Sequence, residues 1–232
     1  MADCGQRRVA LGTTYTGSDR DLFHLRATLF QDRLIELDLP ELRRRLARPG
    51  HPAAAVEGDH GAGPRGHALK SASVLVPIVA RAPELTVLFT RRTAYLRSHS
   101  GQISFPGGRA EAHDESPEST ALRETREEIG LDPGRVELLG RLSDYHTGTG
   151  YRIAPYIGVV TPPLELQPDL HEVEEVFEVP LSFLLDPRNH RRLAREYQGK
   201  MRPFFAIPYG NHYIWGATAG MLVNLYRQLA QG

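Results

Sequence analysis

The chain has 232 residues, with 28 Lys+Arg against 28 Asp+Glu, and 41% of its residues are hydrophobic. That length fits one large domain, or one domain with an appendage, and it suffices to bury a core. The even charge balance excludes bulk attraction to nucleic acid, and the single cysteine, Cys4, excludes an internal disulfide or a cysteine-ligated metal.

No apolar run approaches the length of a membrane span. The first residues lack the continuous apolar core of a secretory signal, and the last three are not of the SKL type. With one cysteine, these features lead to the expectation of a cytoplasmic protein without membrane or nucleic-acid partners.

Residues 1 to about 18 are small, polar and rich in Gly and Thr. From Asp19, Leu22, Leu25, Leu29 and Leu34 recur at helical spacing, with Asp19 or Asp21 as the cap. A short helix follows Pro40, using Leu42 and Leu46, with Arg43, Arg44, Arg45 and Arg48 around it. The arginine run reads as a helix surface in preference to an anion site. Pro49 to Gly66, rich in Gly, Pro, Ala and His, reads as a linker. Residues 1–70 are therefore expected to be a helical extension and linker ahead of a domain over 71–232.

Ser73 to Ala80 is a continuous apolar run and predicts a buried strand, paired with Leu85 to Thr90 across the turn Arg81 to Glu84. Ile103 to Phe105 is a short strand leading into Pro106-Gly107-Gly108. Ser116-Pro117 has the form of an N-cap and first helical residue, and Gly130 that of a C-terminal stop, which predicts a helix from Pro117 to Ile129. Further strands are expected at Val136 to Leu142, at Ile153 to Val160 with a break at Pro155, and at Val176 to Val179. A turn of helix follows at Leu181 to Leu185. Arg202 to Pro208 and His212 to Tyr213 predict a hairpin around Gly210-Asn211, and Thr218 to Leu229 an amphipathic terminal helix. Strands flanked by helices with mixed connection lengths indicate an α/β sandwich.

The helix from Pro117 carries Glu124, Glu127 and Glu128. Residues three and four apart share a helix face, so Glu124 neighbours both of the others and the charges repel. A cation held among them would turn repulsion into binding. Gly107 and Gly108 let the backbone approach a ligand closely. A glycine loop feeding a carboxylate helix suits a metal-bridged phosphate, because hard divalent cations take carboxylate oxygens and share phosphate oxygens of a substrate.

RETREEIGL, behind a glycine loop and an acid, resembles the signature of the Nudix hydrolases. Arg123, Glu124, Glu127, Glu128, Gly130 and Leu131 match that signature, while Thr125 stands where an aliphatic is usual. The loop is also longer than usual. Counting forward from Gly108 reaches Asp114, counting back from Arg123 reaches Glu115, and the spacing leaves either as the loop acid. Just upstream, LFTRRTAYLRSHSGQISFPGG is similar to the second motif of the coenzyme A diphosphatase branch, at Leu88, Thr90, Arg92, Leu96, Arg97, His99, Gly101, Gln102, Phe105, Pro106, Gly107 and Gly108. Two adjoining motifs in register are far more specific than one short pattern. The resemblance runs from about Ser73 to Leu229.

The resemblance implies a Nudix-type α/β/α sandwich with a mixed β-sheet between helices. It implies Mg²⁺ or Mn²⁺ on Glu124, Glu127 and Glu128, with Arg123 orienting a glutamate. The general base is either a box carboxylate, foremost Glu124, or an acid beyond the box. Glu172 is preferred there among Glu172, Glu174, Glu175 and Glu178. Arg92, Arg97, His99, Gln102, Gly107 and Gly108 are the substrate-binding candidates. Tyr145 and His146 lie in a loop placed to close over the site, and Phe183 and Leu184 are candidates for a groove holding a pantetheine arm or for core. Trp215 reads as packing. The implied activity is hydrolysis of the diphosphate of coenzyme A or acyl-coenzyme A to 3′,5′-ADP and 4′-phosphopantetheine. The alternatives are another diphosphate substrate, such as ADP-ribose or NADH, and a non-catalytic Nudix-fold binding module. The expected partner is this small molecule; assembly is left open, a homodimer included.

Overall fold

The computed structural model of the protein describes residues 37–47, 69–95, 100–197 and 199–231. The helix expected from Asp19 and the linker expected from Pro49 to Gly66 lie outside the described residues, as do Arg48, Arg97 and His99. Helix α1, Leu39–Leu46, begins at Asp38, whose side chain accepts the Glu41 amide at 2.8 Å. Its arginines are engaged within the protein. Arg43 pairs with Glu137, Arg44 with Glu41, and Arg45 donates to the Leu229 carbonyl at 2.8 Å.

Strands β1 (Lys70–Val79), β2 (Thr86–Arg92), β3 (Ile103–Ser104) and β4 (Gly107–Arg109) precede helix α2 (Pro117–Ile129). Then come β5 (Val136–Arg141), β6 (Tyr145–His146), β7 (Tyr151–Val160), β8 (Val173–Pro180) and the short α3 (Leu181–Leu184). The chain closes with β9 (Arg191–Tyr197), β10 (Lys200–Tyr209), β11 (His212–Trp215) and α4 (Ala217–Ala230). Strands β1 to β8 make one mixed sheet, and β9 to β11 a smaller antiparallel one.

The central strand β1 runs parallel to β7 along its whole length on one edge. On its other edge it meets β2 only at Ile78–Val87 and Val79–Thr86. Beyond that point the two strands part, and the segment from Ile103 to Arg109 enters the fork: β3 pairs with β2, and β4 with β1. The outer edge of β2 is covered by β8.

The core lies on both faces of this sheet, as alternation along a buried strand requires. Val74, Val76, Ile78, Val87 and Phe89 join Leu42 of α1, Leu184 of α3 and Leu222, Leu225 and Leu229 of α4. Leu75, Val79 and Leu88 pack instead with Ile129, Leu131, Val160 and Val173. Helices therefore cover the mixed sheet from both sides, and the expected α/β/α layering holds. Among the described residues no helix is long and apolar enough to cross a membrane.

Several elements differ from the sequence reading. Pro155 does not break its strand; β7 is continuous from Tyr151. The reason is local. The partner of β7 changes from β5, at Arg141–Tyr156, to β6, at Tyr145–Ile153. Pro155 falls in that gap, where its carbonyl still accepts the Leu142 amide at 2.9 Å and no ladder donor is needed from it. Helix α4 is buried from Thr218 to Tyr226 and again at Leu229, so it is a core helix with partly exposed residues only near its ends. Tyr145 is not a lid residue: it is 2% exposed, and its ring lies so close to Gly220 that a Cβ there would collide with it. Leu184 is fully buried and so belongs to the core rather than to a groove, while the partly buried Phe183 packs against that core and meets the Tyr209 ring edge-on at 4.9 Å. Trp215 packs as expected, against Phe204 and beneath the Arg195 guanidinium.

Candidate active site

Helix α2 is delimited by local chemistry. Ser116 accepts the Ser119 amide at 3.1 Å, Ser119 returns the bond from the Ser116 amide at 2.9 Å, and Pro117 fills the first helical position. Gly130 ends the helix at φ 72°, in the left-handed region glycine enters without cost. Between these ends the buried face carries Thr120, Ala121, Thr125, Glu128 and Ile129. Thr125, standing where the family has an aliphatic, is 1% exposed and gives its hydroxyl to the Ala121 carbonyl at 2.7 Å. A buried hydroxyl is tolerated because that bond is made.

Glu128 is the residue turned inward, 5% exposed. Its carboxylate accepts the Gly107 amide at 3.2 Å and faces the Arg92 guanidinium at 3.2 Å. Burial pushes its pKa up to about 7; the Gly107 amide and Arg92 pull the other way, while Glu172 and Glu124 add to the rise. The glycine pair explains why the loop comes so near. A Cβ on Gly107 would strike the Ser73 carbonyl and the Val74 backbone, and one on Gly108 would occupy the place of the Glu124 carboxylate. Glu124 thus lies flat on Gly108, half-buried, with its pKa raised by desolvation against the pull of Arg123.

Arg123 is the fixed cation of the site. It grips Asp114 with two donors, at 2.8 and 3.0 Å, and reaches Glu124 at 3.0 Å, Glu127 at 2.9 Å and the Arg109 carbonyl at 3.2 Å. The Arg123 bonds hold the Asp114 carboxyl well below the usual carboxylate range, helped by the Glu111 amide and the Thr120 hydroxyl. The loop acid is accordingly Asp114, and Glu115 is exposed. Chain spacing alone could not separate them, but the Arg123 fork does.

Glu127 points outward, its side chain 60% exposed and, among the described residues, held by Arg123. Glu172, from the turn ahead of β8, comes to the site from the other side, its carboxylate 3.5 Å from Arg92. Gln102 lies at the fork, where its carbonyl accepts the Arg92 amide at 2.9 Å. Glu174 is exposed. Glu175 and Glu178 bind elsewhere, with Arg91 and His212 and with Arg81 and Thr86 respectively.

Among the described residues no three acidic, histidine or cysteine side chains converge in a ready-made metal cage. The carboxylates face arginines instead. The donor set nevertheless suits a hard divalent cation: Glu124, Glu127, Glu128 and Glu172 offer only oxygens, Glu127 and Glu172 raise the proton affinity of Glu124, and Glu172 and Glu124 that of Glu128.

A NUDIX domain model matches residues 70–198. The chain belongs to the Nudix family. It is 39% identical over 160 residues to an uncharacterized Nudix hydrolase, NudL, of Photorhabdus laumondii, covering 69% of this chain and 85% of that one. A NudL of Yersinia pestis is 37% identical over 161 residues, with 69% and 80% covered. A solved MutT/nudix protein of Enterococcus faecalis is 16% identical at a TM-score of 0.45, covering 72% and 64%, too remote to inform the site. The matched region contains Arg92, Gly107, Gly108, Glu124, Glu127, Glu128 and Glu172. The protein is thus a Nudix hydrolase of diphosphate-containing small molecules, a family that generally uses divalent metal ions.

Proposed function

We propose that the protein is a metal-dependent coenzyme A diphosphatase, cleaving coenzyme A and its acyl derivatives to 3′,5′-ADP and 4′-phosphopantetheine. One observation supports this above others. Four residues of the upstream motif lie against two of the box carboxylates: the Gly107 amide bonds Glu128, Gly108 underlies Glu124, and Arg92, joined to Gln102, meets Glu128. The motif that resembles the coenzyme A branch is therefore adjacent to the hydrolytic machinery.

In this reading Glu124, Glu127 and Glu128 hold Mg²⁺ or Mn²⁺. The cation, when bound, neutralises phosphate oxygens and lowers the pKa of a bound water. The chain's own residues do the remainder. Glu124, whose proton affinity burial raises, and Glu172, opposite it, are the two bases placed to take a proton from the attacking water. Arg123, anchored on Asp114, keeps Glu124 and Glu127 oriented. Gly107 and Gly108 admit the diphosphate close to the backbone. Arg92, Arg97, His99 and Gln102 bind substrate, since arginine forks suit the diphosphate and the separate ribose phosphate. Residues 71–232 form the catalytic domain, with α1 of the 1–70 extension contributing Leu42 to its core. The single cysteine is in keeping with a cytoplasmic location.

The test is a comparison of product release from coenzyme A, dephospho-coenzyme A, NADH and ADP-ribose. Coenzyme A is expected to be preferred over all three. Loss of the 3′-phosphate contact should cost about 1–3 kcal/mol of selectivity. Equal turnover of coenzyme A and its dephospho form would count against the assignment.

A further inference from the structure

The two arginines that meet the site carboxylates among the described residues are held in different ways. Arg123 is tied by a two-donor fork to Asp114 and by a further bond to the Arg109 carbonyl, so its place is independent of Glu124 and Glu127. Among the described residues Arg92 makes no such two-donor fork. Its guanidinium makes one contact of 3.2 Å to Glu128 and one of 3.5 Å to Glu172. Strand register slips between Arg91 and Arg92 against β8, and a bulge of this kind re-aims the side chain at its end. Arg92 is also one-quarter exposed, with room to leave.

We propose that Arg92 is a resident counter-ion that spans Glu128 and Glu172 in the metal-free enzyme and is displaced by the incoming divalent cation toward the substrate phosphates. This rests on the metal-dependent reading above. The argument is one of charge. Glu128 is buried, and a buried carboxylate needs a positive partner. Before metal arrives Arg92 supplies it. A cation using the Glu128 oxygens must first overcome repulsion from the guanidinium, and once it is seated the guanidinium has lost its shorter contact and keeps only the 3.5 Å one to Glu172. The nearest new acceptors are the oxygens of a bound diphosphate. One side chain would therefore hold the empty site together, weaken premature metal binding, and become a substrate contact only when metal is present.

The decisive measurement is Mn²⁺ binding without substrate, by calorimetry at about pH 8.5, where ordinary carboxylates are ionised. Arg92→Gln is expected to bind Mn²⁺ about tenfold more tightly than the wild type, because a nearby positive charge has gone. Glu128→Gln is expected to bind more weakly than the wild type. Unchanged or weaker binding by Arg92→Gln, with wild-type binding intact and reduced by Glu128→Gln, overturns the counter-ion while leaving the metal site standing. If the wild type binds no Mn²⁺, or Glu128→Gln binds as well as the wild type, the metal reading falls and the counter-ion with it. A second measurement uses the folded wild type itself. The Arg92 Nε–H resonance, identified by its absence in Arg92→Lys, is expected to shift as Mg²⁺ is added. A resonance unmoved at metal saturation overturns the proposal.

Discussion

The Gly107 amide donates to the Glu128 carboxylate at 3.2 Å, which ties the segment inside the sheet fork to the helix beside it. The two glycines of this segment have separable duties. Gly107 has φ 148°, and a Cβ there would strike fixed backbone at Ser73 and Val74. Gly107→Ala is expected to lower the melting temperature markedly, in line with the roughly 1–3 kcal/mol of an overpacked core position. The atoms nearest to a Cβ on Gly108 are those of the Glu124 carboxylate, the end of a side chain that can swing away. Gly108→Ala should melt near the wild type and lose activity about tenfold or more, since a small misplacement of a catalytic group is costly. Equal melting losses in both variants would show that the glycines serve folding alone.

Glu128 makes stability depend on pH in a direction opposite to most carboxylates. Its folded pKa is about 7 against an ordinary 4.5, so between those values the folded protein holds a proton that the unfolded chain has released. Its contribution is complete below about 4.5 and is lost as pH rises through about 7, amounting to ~3 kcal/mol. His190 acts in the other sense, because burial lowers its pKa. The comparison must therefore be between wild type and Glu128→Gln, without metal, by melting at a series of pH values. The difference between the two proteins should change across pH 4.5 to 7, with the wild type losing ground as pH rises. Parallel curves would refute the assigned burial of charge.

The same substitution addresses catalysis. Glu128→Gln keeps shape and removes charge, so the fold should persist while turnover falls by on the order of 10²-fold or more. Chelation should abolish wild-type activity, and Mg²⁺ or Mn²⁺ should restore it. Full activity of Glu128→Gln in the presence of chelator would sink the metal assignment.

How much of this was legible in the chain varied with the kind of information needed. Helix α2 was readable to the residue because Ser116, Pro117 and Gly130 are local signals, and the structure has it at Pro117–Ile129. Strand β9 was not readable. Its sequence, RRLAREY, has no apolar alternation, and its described side chains are exposed; it exists through its ladder with β10, from Arg191–Ala206 onward. Pro155 was read as a strand breaker because the gap between β5 and β6 is a tertiary fact. Asp114 and Glu115 could not be ranked from spacing, since the choice depends on where the Arg123 fork points. The inward turn of Glu128 and the outward turn of Glu127 likewise follow from helix phase against the sheet, and adjacent glutamates look alike in sequence.

That resolution of the loop acid is itself testable. Asp114→Asn removes the charge that anchors Arg123, so Glu124 and Glu127 lose their orienting partner. Both melting temperature and turnover should fall. Glu115→Gln, on an exposed side chain, should alter neither. A reversed ranking of the two variants would return the role to Glu115.

The final prediction concerns which bond breaks. If the cation sits on the α2 carboxylates and the glycines admit the diphosphate, the attacked phosphorus lies over Glu124 and Glu128. The adenosine half, carrying the 3′-phosphate, is then drawn to the arginines of the upstream motif, Arg92 among the described residues. The pantetheine arm is long and nearly neutral, so it asks for a groove rather than charge. Leu184 cannot line that groove, being fully buried, whereas Phe183 keeps a partly exposed face. The thiol end lies far from the chemistry, and acyl groups on it should be tolerated. Hydrolysis in ¹⁸O-labelled water, followed by mass analysis of both products, checks this directly. One labelled oxygen should enter, and the products should be 3′,5′-ADP and 4′-phosphopantetheine. Adenosine 3′-phosphate lacking its 5′-phosphate, or free inorganic diphosphate, would mean that a carbon–oxygen or outer phosphate bond had been cut and that the site holds its substrate in another orientation.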